Sequence, residues 1–241
     1  MIRIGIAQIS LTCQIKQNLA RILHFIHQAR SNNIDIICFS EYSINPDLNN
    51  LMDLSCEIKT IQKACRDCAI WCIFGAYSCR NGQFRNTIYL VNDGGEIQYE
   101  YDKVHLWQAE NNIFTPGEVT HAINIGPCRI GIICCWDMAF PEFVAQLARE
   151  GASIIFCPSY LCDYEQDQHA LRSIPQVRAF ENCVYFVTCD AATDHTLSES
   201  YICHPMRVQG DILQKEGLIF CDVDPEELIM LKNYYNLPES R

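Results

Sequence analysis

No stretch of this chain reaches the ~18 consecutive apolar residues that a membrane-spanning helix requires, and no Lys/Arg cluster is present to meet a polyanion. Basic residues number 18 against 29 acidic ones, a formal net charge of -11, which disfavours nucleic acid or an anionic membrane surface as a partner. Linkers, low-complexity blocks and charge runs are lacking as well. Met1-Ile2-Arg3 leads straight into an alternating strand pattern with no apolar leader, so a cytosolic protein is expected. What is plentiful is ordinary core material: 49% apolar and 20% charged residues over 241 positions, enough for one domain spanning residues 1–241.

Cysteine is the exception to this plain composition, at sixteen residues. A disulfide framework suits short, core-poor secreted chains, and this chain is neither. A metal site would rest on Cys65, Cys68 and Cys72, but these also share one helix face with Ile61 and Ala64, and no second CxxC pair follows. His24 and His27 stand three apart without a carboxylate pattern and read as surface positions. Most of the thiols, Cys38, Cys157, Cys183 and Cys189 among them, lie in apolar runs and read as small hydrophobes.

Periodicity places a strand at 3–9 and an amphipathic helix through Ile15, Leu19, Ile22, Leu23 and Ile26, then a buried strand at 34–39. This is a βαβ unit, so its strands should be parallel. A helical stretch at 51–68 and a strand at 70–77 follow. Residues 85–91 and 97–101 should pair as a hairpin through Asn92-Asp93-Gly94-Gly95. Further strands are expected at 119–125, 129–134, 153–157, 183–189, 200–204 and 217–223, with a turn at 209–211. Helices are expected from Pro141, over 166–182 with a bend near Pro175, and from Pro225. The alternation gives a mixed α/β domain.

Three chemically complementary side chains stand just past strand ends. Glu41 follows the second strand, Lys103 follows the strand ending at Tyr101, and Cys135 ends the apolar run 131–134 before a helix opens at Pro141. In open α/β sheets ligands bind at such ends. A thiol of pKa ~8.5 needs a base or a cation to become a nucleophile. Glu41 could take its proton, and Lys103 could stabilise both a thiolate and an oxyanion. Each also has a plain structural alternative: a cap, a solvated charge, and a pair of small core residues at Cys134 and Cys135.

These segments resemble the carbon–nitrogen hydrolases of the nitrilase superfamily. The matching motifs are Phe39-Ser40-Glu41, Tyr101-Asp102-Lys103-Val104-His105-Leu106, and Ile133-Cys134-Cys135-Trp136-Asp137-Met138-Ala139-Phe140-Pro141-Glu142. Glu110 before Phe114-Thr115-Pro116-Gly117, Cys157-Pro158-Ser159 and Arg178-Ala179-Phe180-Glu181-Asn182 extend the likeness over nearly the whole chain. The resemblance implies a four-layer α-β-β-α sandwich with two mixed sheets, pairing as a homodimer. It implies Cys135 as nucleophile, Glu41 as general base, and Lys103 with the Trp136 N–H as oxyanion donors, with Glu110 positioning substrate and Lys103. It implies a small-molecule amide substrate and neither metal nor organic cofactor. Cys134 matches the apolar residue before the nucleophile and, pointing to the opposite face, should be buried and inert.

Departures from the family pattern are Ser40 where Pro is usual and Tyr42 where an aliphatic residue is usual. Asp137, where nitrile-cleaving members carry Glu, favours an amidase over a nitrilase. Met138-Ala139 lacks the Arg common in members that take carboxylate-bearing substrates. Pocket walls are expected from Tyr42, Trp136, Met138 and Tyr160. A non-catalytic binding protein on the same scaffold, or a nitrilase, is the alternative.

Overall fold

The β1–α1–β2 unit sets the frame. In the computed structural model, which describes residues 1–162 and 166–235, β1 is Ile2–Gln8, α1 is Ile15–Ser31 and β2 is Ile36–Cys38. The two strands are parallel, with Ile4 opposite Ile36 and Ile6 opposite Cys38. The buried stripe of α1 (Ile22, Phe25, Ile26, Ala29) covers the sheet at helical spacing. Each of its Ile and Phe side chains contributes roughly 1.5–3 kcal/mol on full burial.

Next come α2 (Ser55–Cys68), β3 (Trp71–Arg80), β4 (Gln83–Val91) and β5 (Ile97–Asp102). The helix begins four residues later than expected. The Asp53 carboxylate accepts the Ser55 N–H at 2.9 Å, a local bond that competes with helix formation. β3 outruns its expected end and turns tightly into β4 at Asn81-Gly82, both with positive φ, 53° and 77°. Cys65, Cys68 and Cys72 pack into the apolar layer between the helices and this sheet.

The second half repeats the plan with β6 (Ile123–Ile125), β7 (Cys128–Ile132), α3 (Pro141–Arg149), β8 (Ile154–Pro158), α4 (Gln168–Asn182), β9 (Tyr185–Cys189), β10 (Glu199–His204) and β11 (Arg207–Leu213). Strand β12 (Gly217–Val223) and helix α5 (Pro225–Tyr234) follow, and residues 236–241 lie outside the described residues. The turn expected at 209–211 is instead strand. Ile202 pairs with Gly210 and Cys203 with Val208, so Gln209 is the extra residue of a bulge. Helix α4 runs as one element through Pro175.

Two six-stranded mixed sheets result, ordered β12-β1-β2-β3-β4-β5 and β11-β10-β9-β8-β7-β6. Their inner faces share one core, in which Ile4, Ile6 and Ile73 of the first sheet join Ile130, Ile154 and Phe156 of the second. Helices α1 and α2 cover one outer face, α3 and α4 the other. This is the four-layer α-β-β-α sandwich expected from the motifs. The turns after β2, β5, β7 and β8 converge on one cavity.

Candidate active site

Glu41 lies three residues past β2, held where β3 runs directly beneath its backbone. A Cβ at Gly75 would stand 2.5 Å from the Glu41 Cα and 2.7 Å from the Ser40 carbonyl, so only glycine permits the approach. The carboxylate is 1% exposed. Its Oε1 accepts from Asn86 Nδ2 at 2.6 Å, Lys103 Nζ at 2.9 Å and Cys134 Sγ at 3.1 Å. Its Oε2 accepts the Tyr160 N–H at 2.9 Å.

Lys103 follows β5, with its N–H on the Asn86 carbonyl at 2.9 Å and its own carbonyl taking the Gly117 N–H at 2.9 Å. Its ammonium, 1% exposed, also reaches Glu110 Oε2 at 2.8 Å. Glu110 sits on a short 3-10 turn at Gln108–Asn112 and accepts the Trp107 N–H at 2.6 Å. The Tyr42 hydroxyl donates to Glu110 Oε1, and Asn86 Nδ2 lies 2.7 Å from that hydroxyl and 2.9 Å from the same oxygen.

One cation thus serves two buried carboxylates, and the two respond differently. Burial pushes both upward. Lys103, Tyr42 and the Trp107 N–H outweigh it at Glu110, which stays below the ordinary carboxylate range. At Glu41 burial and the Glu110 charge outweigh Lys103, so its carboxyl is raised. Lys103 is held well above its ordinary value: burial works against its charge, and Glu41, the two thiols and Glu110 overcome it. Glu110 is therefore the carboxylate held as an anion, and Glu41 the one more readily protonated.

Cys135, three residues past β7, opens a 3-10 turn, Cys135–Ala139, with φ of +47°, a left-handed conformation that costs a non-glycine residue about 1–3 kcal/mol. Asp137, fully buried, holds this turn. Its Oδ2 accepts the Cys134 N–H at 2.9 Å and the Tyr101 hydroxyl at 2.5 Å, and its Oδ1 accepts the His105 N–H at 2.8 Å. The His105 ring stacks on Phe140 with centroids 3.6 Å apart, and Arg178 Nε donates to the Met138 carbonyl at 2.8 Å. Tyr101 and His105, which flank Lys103, are thereby bound to the residues that flank Cys135. Burial, and then the Glu41 charge, keep the Cys135 thiol well above its ordinary pKa, with Lys103 opposing. At rest it is a protonated thiol that needs a base.

The cavity measures about 160 Å³ and is lined by Glu41, Lys103, Glu110 and Cys135 together, with Tyr42, Trp136 and Tyr160 among its walls. Two expectations need correction. Met138 is fully buried in the core and does not line the cavity, because the 3-10 turn carries it back under Cys135. Cys134 is fully buried as expected, yet its thiol is not without a polar partner, since it donates to Glu41. The Tyr160 backbone bears on the site as directly as its ring: the Tyr160 N–H holds Glu41 and its carbonyl lies 3.8 Å from Cys135 Sγ.

Asn86 and the walls Trp107, Leu48, Cys162 and Leu171 were not foreseeable from the motifs. Asn86 does carry a signal: it shares strand parity with Ile88 and Leu90, which face the core, and an amide on an apolar face needs partners. The oxygens of Glu41 and Glu110 are engaged by Lys103, Asn86, Tyr42 and backbone N–H groups. No group of three His, Cys, Asp or Glu among the described residues is arranged to hold a metal ion.

Comparison with known proteins agrees with this fold. The sequence profile of the carbon-nitrogen hydrolase family matches residues 3–232. A Schizosaccharomyces pombe protein called probable nitrilase C965.09 is 27% identical over 95% of this chain and 91% of its own. A human omega-amidase is 22% identical over 95% of this chain and 91% of its own. Among solved structures, an amidase mutant from Nesterenkonia sp. AN1, with acrylamide added at its active-site cysteine, superposes with a TM-score of 0.86 at 19% identity. That superposition covers 99% of this chain and all of the other, a likeness of fold.

Proposed function

Since this chain belongs to the carbon-nitrogen hydrolase family, we propose that it cleaves the C–N bond of small linear amides through an acyl-Cys135 thioester. The observation that carries this is a single cavity lined at once by a thiol, a carboxylate of raised pKa and a doubly paired ammonium. Amidase-named relatives support it.

Glu41 takes the Cys135 proton as Sγ attacks the amide carbonyl carbon. The oxyanion is met by the Lys103 ammonium and the Trp136 N–H. Glu41 then hands its proton to the departing nitrogen, and ammonia or an amine leaves. A water activated by Glu41 cleaves the thioester, releasing the acid and restoring the thiol. Glu110 stays ionised and keeps Lys103 in place.

A cavity of about 160 Å³ is on the scale that admits a benzene-sized guest. Its described walls are mainly apolar, and Lys103, already paired twice, is their one cation. This favours short neutral acyl groups over carboxylate-bearing ones.

Ammonia release from formamide, propionamide, an N-carbamoyl amine and an ω-amide, with propionitrile alongside, tests the proposal. Cys135→Ala should abolish release and the acyl adduct seen by mass spectrometry while leaving the fold intact. An active Cys135→Ala variant refutes it. A wild-type chain with neither adduct nor product across the panel favours a binding protein on the same scaffold.

We propose also a reducing, cytosolic setting, which suits sixteen free thiols. A homodimer is proposed too, in which a second copy covers the exposed Val177 and Phe180 of α4 and Ile229 and Met230 of α5. Sedimentation of a monomer at micromolar concentration would rule it out. No described helix is long and apolar enough to cross a membrane.

A further inference from the structure

The two oxygens of Glu41 are unequal. Oε1 faces three donors, Asn86 Nδ2 at 2.6 Å, Lys103 Nζ at 2.9 Å and Cys134 Sγ at 3.1 Å. A carboxylate oxygen has two lone pairs, so Oε1 is more than filled. Among the described residues Oε2 has one donor, the Tyr160 N–H at 2.9 Å, which leaves it a lone pair. The same residue bears on the nucleophile, since the Tyr160 carbonyl lies 3.8 Å from Cys135 Sγ.

We infer that the Cys134 thiol is a positioning residue: with Asn86 and Lys103 it pins Oε1 of Glu41, leaving Oε2 as the oxygen that exchanges protons with Cys135 and the leaving nitrogen. This rests on the hydrolase proposal above. The proton inventory closes. As the S–C bond forms, the Cys135 proton passes to Oε2; as the C–N bond breaks, it passes to nitrogen. Cys134 keeps its own proton throughout, because burial and then the neighbouring Glu41 charge hold that thiol well above its ordinary pKa. Nor is Cys134 a second nucleophile, for it is fully buried and does not line the cavity. The other groups that bear on Glu41 are Lys103, Glu110, Tyr42 and Cys135, with Cys157 and Cys162 farther off.

The test compares Cys134→Ala, which removes the donor, with Cys134→Ser, which keeps one. Cys134→Val, which fills the space without a donor, replaces alanine should alanine not fold. Two rates are followed against pH. One is ammonia release from propionamide. The other is alkylation of Cys135 by iodoacetamide, localised by fragment mass spectrometry. Alkylation needs no turnover, so it reads the positioning even where every amide fails. Loss of a bond that favours the carboxylate should move the acid limb of both profiles to higher pH. The plateau should drop about five-fold, the worth of one buried hydrogen bond, and serine should restore both. A folded alanine or valine variant with the wild-type limb and plateau overturns the inference, as does serine behaving like alanine.

Discussion

Replacing Lys103 by Met removes the cation that pairs with both Glu41 and Glu110 and leaves its apolar stem nearly intact. The ammonium now lies 2.9 Å from one carboxylate and 2.8 Å from the other, and all three side chains are at most 6% exposed. Breaking a buried pair from one side costs about 3–5 kcal/mol, because the remaining charge is stranded. Against the ~5–15 kcal/mol that holds a domain together, this is about a fifth of the total at the least. At ~2–4 °C per kcal/mol for a chain of this size, the melting temperature should fall by about 10 °C. The loss should depend on pH, and the sign follows from the two carboxyls. In the native protein Glu110 is held low, so its share of stability is present above the ordinary carboxylate range and lost as pH falls through its lowered value. Glu41 is held high, so it costs stability as pH rises through its raised value. Without Lys103 both rise, and both penalties grow toward alkaline pH and shrink as protons are taken up. Urea unfolding at pH 5 and pH 8 measures the gap between wild type and Lys103→Met. It should be widest at pH 8, and adding Glu110→Gln should recover part of it. A gap equal at both pH values, or wider at pH 5, would show that the two carboxylates do not depend on this ammonium.

Two further substitutions probe the supports of the site. Gly75→Ala puts a Cβ 2.5 Å from the Glu41 Cα, where only backbone can give way. It should cost about 1–3 kcal/mol and, by displacing the base, at least ~100-fold in kcat; wild-type turnover would refute that placement. Asp137→Asn keeps the shape but gives up one acceptor oxygen among the bonds from Tyr101, His105 and the Cys134 N–H. About 1–3 kcal/mol of stability should go, and kcat should fall further than KM changes; a variant with native melting temperature and kcat would release Asp137 from that role.

The fold was legible where local chemistry and tertiary context agree. The first βαβ unit, the β4–β5 hairpin and the helix opened by Pro141 all stand where periodicity and turn residues put them. Boundaries slipped where a side chain overrode the pattern, as Asp53 does at the start of α2. The turn expected around Gly210 went wrong for another reason: glycine marks a bulge as readily as a turn, and only the pairing of β10 with β11 tells them apart. Asn81-Gly82 carried the stronger turn signal. The division of the strands between two sheets, with β12 returning to β1, was not legible, because β12 has the same alternation whichever sheet receives it.

At the site, the two adjacent thiols part as expected, Cys135 to the cavity and Cys134 inward, though both lie past the end of β7 and the left-handed Cys135 backbone, not strand alternation, turns them apart. What alternation cannot carry is the identity of the group on the far side. The inward face of a strand is ordinarily apolar, and a cysteine there reads as one more small hydrophobe. Here the interior behind Cys134 holds a carboxylate, because the first sheet delivers Glu41, and Asn86 beside it, into the same space from residues more than forty positions away. A buried charge must be satisfied from whatever lies around it, so a thiol that would be inert against leucine becomes a donor against glutamate. Sequence locality ends at that point, and the sandwich of two sheets supplies the rest.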